Sequence, residues 1–178
     1  MWSHPNIKNV AWRRVGLTVA LLAGLTVLGG CGFKPLYGTD DDGGGVATEL
    51  SYVAIPEQRQ RLGQLVRNKL LSTMSPPGGP VAEKYILEFT STSNANDLVI
   101  ESNTDISRRL YKLSVEYRLI SKTSNKVVHR GKTFSHVAYD RVSSEFSNIQ
   151  AESNVRERAA HQVADDIRTR LAAYFSSY

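Results

Sequence analysis

The chain has 178 residues, 41% hydrophobic and 22% charged, a composition that suits one globular domain and leaves too little for two sizeable cores. Its one cysteine, Cys31, excludes an internal disulfide framework and any zinc site built on paired cysteines. The formal charge is +5, but residues 1–30 hold Lys8, Arg13 and Arg14 and no acid, so the remainder carries 19 basic and 17 acidic residues, or +2. That excess does not support nucleic-acid binding.

Arg13 and Arg14 precede an apolar run from Val15 to Leu28. Such a run has the length of a signal h-region and is short for a bilayer span, so residues 1–30 read as an export signal removed from the mature protein. It ends in Leu28-Gly29-Gly30-Cys31, which resembles the bacterial lipobox: a large aliphatic residue, two small ones and a cysteine that is acylated and becomes the new N-terminus. The competing reading is a buried helix with an incidental cysteine, and the basic-apolar-small-Cys order weighs against it. Each buried methylene contributes about 0.8 kcal/mol, so several acyl chains, palmitate among them, on Cys31 would anchor the protein stably. Gly32 after the cysteine resembles the outer-membrane class of lipoproteins, which implies a periplasm-facing anchor in a diderm cell.

Cys31-Gly32-Phe33-Lys34-Pro35-Leu36-Tyr37-Gly38 is similar to the start of mature chains in the LptE family of lipopolysaccharide-assembly lipoproteins, particularly its alphaproteobacterial branch. The resemblance implies a non-catalytic protein that associates with the outer-membrane β-barrel LptD and helps deliver lipopolysaccharide to the cell surface. Pro35 keeps the tether extended, so Phe33, Leu36 and Tyr37 place apolar surface near membrane or partner, or else fold back onto the domain's own core. Thr39 to Gly45 is polar and glycine-rich, closing a lipidated N-terminus and linker over 31–45. Asp40 to Asp42 do not make a calcium loop, because Gly44 and Ser51 stand where ligands are required.

A single domain then spans 46–178. Thr48 to Ile55 is β-rich, with Leu50, Tyr52 and Ala54 on one face and Ser51, Val53 and Ile55 on the other, and predicts a first strand. Pro56 suits the first turn of a helix with Glu57 near its positive end, and Leu62, Leu65, Val66, Leu70 and Met74 recur at helical spacing. The opposite face holds Arg59, Arg61, Arg67 and Lys69, a solvated surface or, as the lesser alternative, an anion-binding one, before a turn over 75–80. Tyr85, Leu87 and Phe89 alternate in a second strand that Leu98 to Ile100 extend beyond a bulge. Tyr111, Leu113, Val115, Tyr117 and Leu119 alternate with Lys112, Ser114, Glu116 and Arg118, the pattern of a half-buried antiparallel strand. Ser121 to Asn125 is a hairpin loop, and Val127 to Tyr139 returns, with Gly131 a candidate bulge. From Ser147, Ala151, Val155, Ala159, Val163, Ile167 and Leu171 step by four in a long amphipathic helix. The joint solution is an α+β two-layer sandwich: two helices on one face of a four-stranded, mainly antiparallel sheet, in the order β-α-β-β-β-α.

Catalytic signatures are missing. His129, His136 and His161 are scattered, no metal motif occurs, and Gly131-Lys132-Thr133 lacks the earlier glycine of a phosphate loop. Asp165, Asp166, Arg168 and Arg170 read as charged helix surface. No enzyme activity, metal or cofactor is expected beyond the covalent lipid on Cys31. The remaining chemistry is ionic: Arg108, Arg109, Lys112, Arg118, Arg130 and Lys132 share a hairpin in which only Glu116 offsets them between Arg108 and Lys132. They form either a solvated face or a contact for lipopolysaccharide phosphates. Another outer-membrane-anchored adaptor of cell-envelope machinery is the alternative function. An anchored hydrolase would need a carboxylate pair that no residues identify.

Overall fold

Alternation along β3, Ser107–Ser121, builds the centre of the molecule. Tyr111, Leu113, Val115, Tyr117 and Leu119 are all buried, while Lys112, Glu116 and Arg118 between them are exposed. The computed structural model describes residues 45–75, 82–100 and 107–177. The export signal, Cys31, Phe33, Leu36, Tyr37 and the linker through Gly44 lie outside these residues, as does the turn over 76–80.

Six further elements surround β3: α1 (Val46–Ser51), β1 (Val53–Ala54), α2 (Arg61–Met74), β2 (Tyr85–Ile100), β4 (Lys126–Arg141) and α3 (Glu145–Ser176). The sheet runs β1-β2-β3-β4. β1 lies parallel to β2 through Val53↔Tyr85, and the two long pairs, β2 with β3 and β3 with β4, are antiparallel. The expected α+β sandwich is thus present, with a mixed sheet and one additional helix. α3 is about 48 Å long at 1.5 Å per residue, and Val155, Ala159, Val163, Ile167 and Leu171 form its buried stripe with Ala160, Ala164 and Ala172 beside them. Small alanines let this helix approach α2 and the sheet closely. The core joins α2's Val66, Leu70 and Met74 to the stripe and to Leu87, Leu113 and Val115. Lys69 of α2 reaches Asp165 of α3 at 3.7 Å, so it links the two helices instead of standing free on a solvated face.

Four local expectations need correction. Thr48 to Ile55 is not one strand: residues to Ser51 are helical, and only Val53 and Ala54 pair with β2. Leu50 and Val53 are both buried because a helical turn, not strand alternation, separates them, and Ile55 rather than Ala54 joins them inside. Pro56 does not open α2, which starts at Arg61. The intervening carbonyls are held by the helix's own side chains: Arg67 Nε donates to Ile55 O at 3.0 Å and Pro56 O at 3.1 Å, and Gln64 Nε2 donates to Gln58 O at 3.1 Å. Arg67 therefore belongs to a loop tether. Gly131 is not a bulge; it pairs regularly with Tyr117, and the register shift falls between Leu119 and Ile120, which oppose His129 and Val127 and leave Val128 as the extra residue. The bulge expected before Leu98 is present between Asp97 and Val99.

The corner between β4 and α3 rests on Asn148, which is buried. Its Oδ1 accepts from Val142 N at 2.9 Å and its Nδ2 donates to Val142 O at 2.8 Å. Ser144 caps the helix by accepting from Ser147 N, so α3 begins two residues before the expected Ser147.

Candidate ligand-binding face

Both long helices cover one side of the sheet, and among the described residues nothing covers the other side of β2, β3 and β4. Strand register sets its residues in rows. Glu88, Arg118 and Arg130 form one row; Thr90, Glu116 and Lys132 the next; then Thr92, Ser114 and Phe134; then Asn94, Lys112 and His136. Over the first two rows lies a shallow concavity of about 810 Å³, walled on the β2 side by Pro56 and Gln58.

Five of the six basic candidates share this face. Arg109 does not: it alternates with Arg108 and Leu110 and stands level with Tyr111 on the helix-facing side, opposite Tyr139. Arg108 lies ten residues from Arg118, about 34 Å along the strand, so the five make no single patch. Arg118, Arg130 and Lys132 converge on the concavity. Lys112 lies farther along, beside Phe134, and Arg108 is 3.7 Å from Asp140.

Glu116 is not the sole counter-charge. Arg118 Nη2 and Nε reach Glu88 Oε2 at 2.6 and 2.7 Å, and Lys132 Nζ donates to Glu116 Oε1 at 2.7 Å. The Lys132 hydrogen bond, and then its charge, lowers the Glu116 pKa. Arg130 remains: it faces the like charge of Arg118 across the ladder and has no ion pair among the described residues. Like charges directly opposite are unfavourable, and an anion between them would relieve that. Glu88 and Asp140 were beyond sequence reasoning because cross-strand partners depend on register.

A second polar cluster lies under α3. Thr133 Oγ1 donates to Asp166 Oδ2 at 2.5 Å, and Arg170 Nε donates to the same oxygen at 2.8 Å. Burial pushes the Asp166 pKa up, but these two hydrogen bonds together with the Arg170 charge outweigh it and the net direction is down. Ser135 Oγ donates to Gln162 Oε1 at 2.5 Å. Asp166 is thus part of the helix–sheet joint rather than plain helix surface. His129 packs against Tyr174, ring centroids 5.0 Å apart, with Nε2 3.4 Å from Tyr117 Oη. Burial, then Arg170, lowers its pKa. His129 and His136 stay on opposite faces, since the bulge at Val128 precedes both. Among the described residues no three His, Cys, Asp or Glu gather closely enough to hold a metal, and no helix is long and apolar enough to cross a membrane.

A flat charged face backed by two helices offers ionic donors for binding. Residues 49–171 match the family model LptE, lipopolysaccharide-assembly, and the chain belongs to that family. A lipoprotein structure from Caulobacter crescentus CB15 superimposes with a TM-score of 0.62 at 25% identity, over 75% of this chain and 97% of that one. The rare lipoprotein B structure from Shewanella oneidensis aligns over 70% of this chain and 95% of that chain, at 15% identity and a TM-score of 0.46, a likeness too loose to carry weight. An uncharacterized protein of Rickettsia prowazekii (strain Madrid E) is 26% identical over 92 residues, which span 52% of this chain and 59% of the relative.

Proposed function

We propose that this protein is a lipid-anchored, non-catalytic component of lipopolysaccharide assembly, held by acylated Cys31 on the periplasmic side of the outer membrane. There it partners an LptD-type barrel as scaffold or plug, with Phe33, Leu36 and Tyr37 near the membrane or the barrel. The lipobox order ending at Cys31 and membership of the family support this anchor and setting. The observation that carries ligand contact is Arg130, set against Arg118 on an uncovered face without an ion pair among the described residues. Charge-assisted hydrogen bonds from guanidinium groups to phosphate are among the stronger polar contacts, and lipopolysaccharide is a phosphorylated glycolipid. Arg108 and Lys112 lie on the same face as secondary contacts; Arg109 belongs to the other side of the sheet.

Affinity purification of the full chain from detergent-solubilised outer membranes tests the reading. Recovery of a lipopolysaccharide-transport barrel with bound lipopolysaccharide is the expected result. Recovery of a different envelope machine, with neither, would favour the adaptor alternative.

A further inference from the structure

Two large apolar side chains are exposed on this face: Val127, in a row with Ile86 and Ile120, and Phe134, which stands alone. Phe134 is 63% exposed, with Lys112 Nζ 6.0 Å from its ring centroid and the His136 ring 5.1 Å away, tilted by 39°. Every adjacent register position is polar: Thr92 and Ser114 in its own row, Glu116 and Lys132 on one side, Lys112 and His136 on the other. The nearest apolar residues on this face, Leu110 and Ala138, are two rows away and half-buried.

We propose that Phe134 is a stacking platform for a sugar ring of a phosphorylated saccharide, bordered by Lys112 and His136 and aligned with the cations of the neighbouring concavity. The negative face of an aromatic ring attracts the weakly positive C–H edge of a pyranose, as it attracts other positive edges. The surrounding hydroxyl, imidazole, ammonium and carboxylate groups supply the donors and acceptors that a sugar's hydroxyls require. An acyl chain would need continuous apolar surface to gain its increment per methylene, and a protein partner would need a broader apolar patch; a solitary ring in polar surroundings offers neither. Charge selects the phosphorylated form. Lys132 and Arg130 lie two and four residues from Phe134 on the same strand and face, so Arg130 is about 13 to 14 Å away along β4, within the span of a short phosphorylated oligosaccharide. Lys112 adds a cation at the ring itself.

This inference rests on the proposed reading and deepens it by naming the saccharide as the part that Phe134 contacts. Three probes are added to the full chain: an acyl-free bisphosphorylated glucosamine disaccharide, the same disaccharide without phosphate, and phosphatidylglycerol vesicles. The readout is the Phe134 ring resonance in protein carrying isotope-labelled phenylalanine, assigned by its loss in Phe134→Ala. The bisphosphorylated sugar is expected to shift that resonance more than the unphosphorylated one. Phe134→Ala is expected to weaken binding about two- to tenfold, the range that an aromatic contact is worth, while Phe134→Trp retains it. Wild-type affinity in Phe134→Ala, or an equal shift with sugar-free vesicles, overturns the platform. Whole lipopolysaccharide is the reference: if it binds while the disaccharide does not, the platform fails and the proposed function stands, and if it does not bind, ligand contact itself fails.

Discussion

Tyr117 lies over Gly131, its strand partner, so closely that a β-carbon added to the glycine would stand 2.6 Å from Tyr117 Oη and 2.7 Å from Cζ. The glycine is there for space, and its side-chain-free surface lets a buried tyrosine lie across the ladder toward His129. Gly131→Ala is expected to destabilise the fold by about 1 to 3 kcal/mol through overpacking. Combining it with Tyr117→Ala is expected to cost less than the sum of the two single changes, since the clash disappears with the ring. Denaturant melts of the four proteins check this.

Leu113 and Ser114 test the register of the central strand. Leu113 is fully buried under the helices and Ser114 points to the uncovered face. Leu113→Ala is expected to cost about 2 to 5 kcal/mol, and Ser114→Ala to remain within about 0.5 kcal/mol. Equal losses in urea melts would reject the register.

These two pairs also show what a sequence can reveal. Alternation from Tyr111 to Leu119 is local and strictly periodic, so the strand and its faces are legible. The stripe from Ala151 to Leu171 is legible for the same reason at a period of four. A glycine within a strand signals either a bulge or a close approach, and only the residue opposite decides which; here the answer was Tyr117. The true bulge residue, Val128, has an ordinary strand identity and gives no signal. Leu50 and Val53 misled because β-propensity is a weak guide where tertiary packing favours a helical turn. At the candidate site, alternation placed Lys112, Glu116 and Arg118 correctly, but their partners Glu88 and Lys132 follow from register. So does the separation of Arg109 from Arg108.

Asn148 is expected to be as important to the β4–α3 corner as a core residue. Removing its amide by Asn148→Ala leaves both backbone groups of Val142 without their side-chain partner, at a cost of about 1 to 3 kcal/mol. Faster amide exchange at Val142 is the local signature, and unchanged protection would mean that water replaces the side chain without penalty.

His129 gives stability a pH dependence of defined sign. Its folded pKa is lowered, by burial first and then by Arg170, so between the ordinary histidine value of about 6.5 and the lower folded value the unfolded chain binds a proton that the folded chain does not. Stability therefore falls as pH drops through that window and levels off below it. Chemical melts from pH 8 to pH 5 are expected to show this loss in the wild type and a smaller one in His129→Gln.

The anchor makes a separate prediction. Cys31 is the chain's only thiol, so Cys31→Ser is expected to abolish acylation and cleavage at that position. Intact-mass spectrometry of protein from membranes reads it directly, and a wild-type chain without a lipid-sized increment on Cys31 would contradict the anchor.

The most direct test of the central claim is lipopolysaccharide binding by Arg118→Glu with Arg130→Glu, compared with Arg59→Glu with Arg61→Glu beside α2. Both doubles change net charge equally, and all four side chains are exposed. The reversal of Arg118 and Arg130 sets three carboxylates, at 88, 118 and 130, in one row, so a melt loss of about 1 kcal/mol is expected there, and binding is compared where every variant is folded. Reversal in the concavity is expected to weaken binding about tenfold or more, and the control is expected to leave it near wild type. Wild-type binding is expected to fall with added salt, because screening acts within about 8 Å at physiological ionic strength. Equal weakening by both doubles, or no weakening by either, would contradict a lipopolysaccharide contact at Arg118 and Arg130.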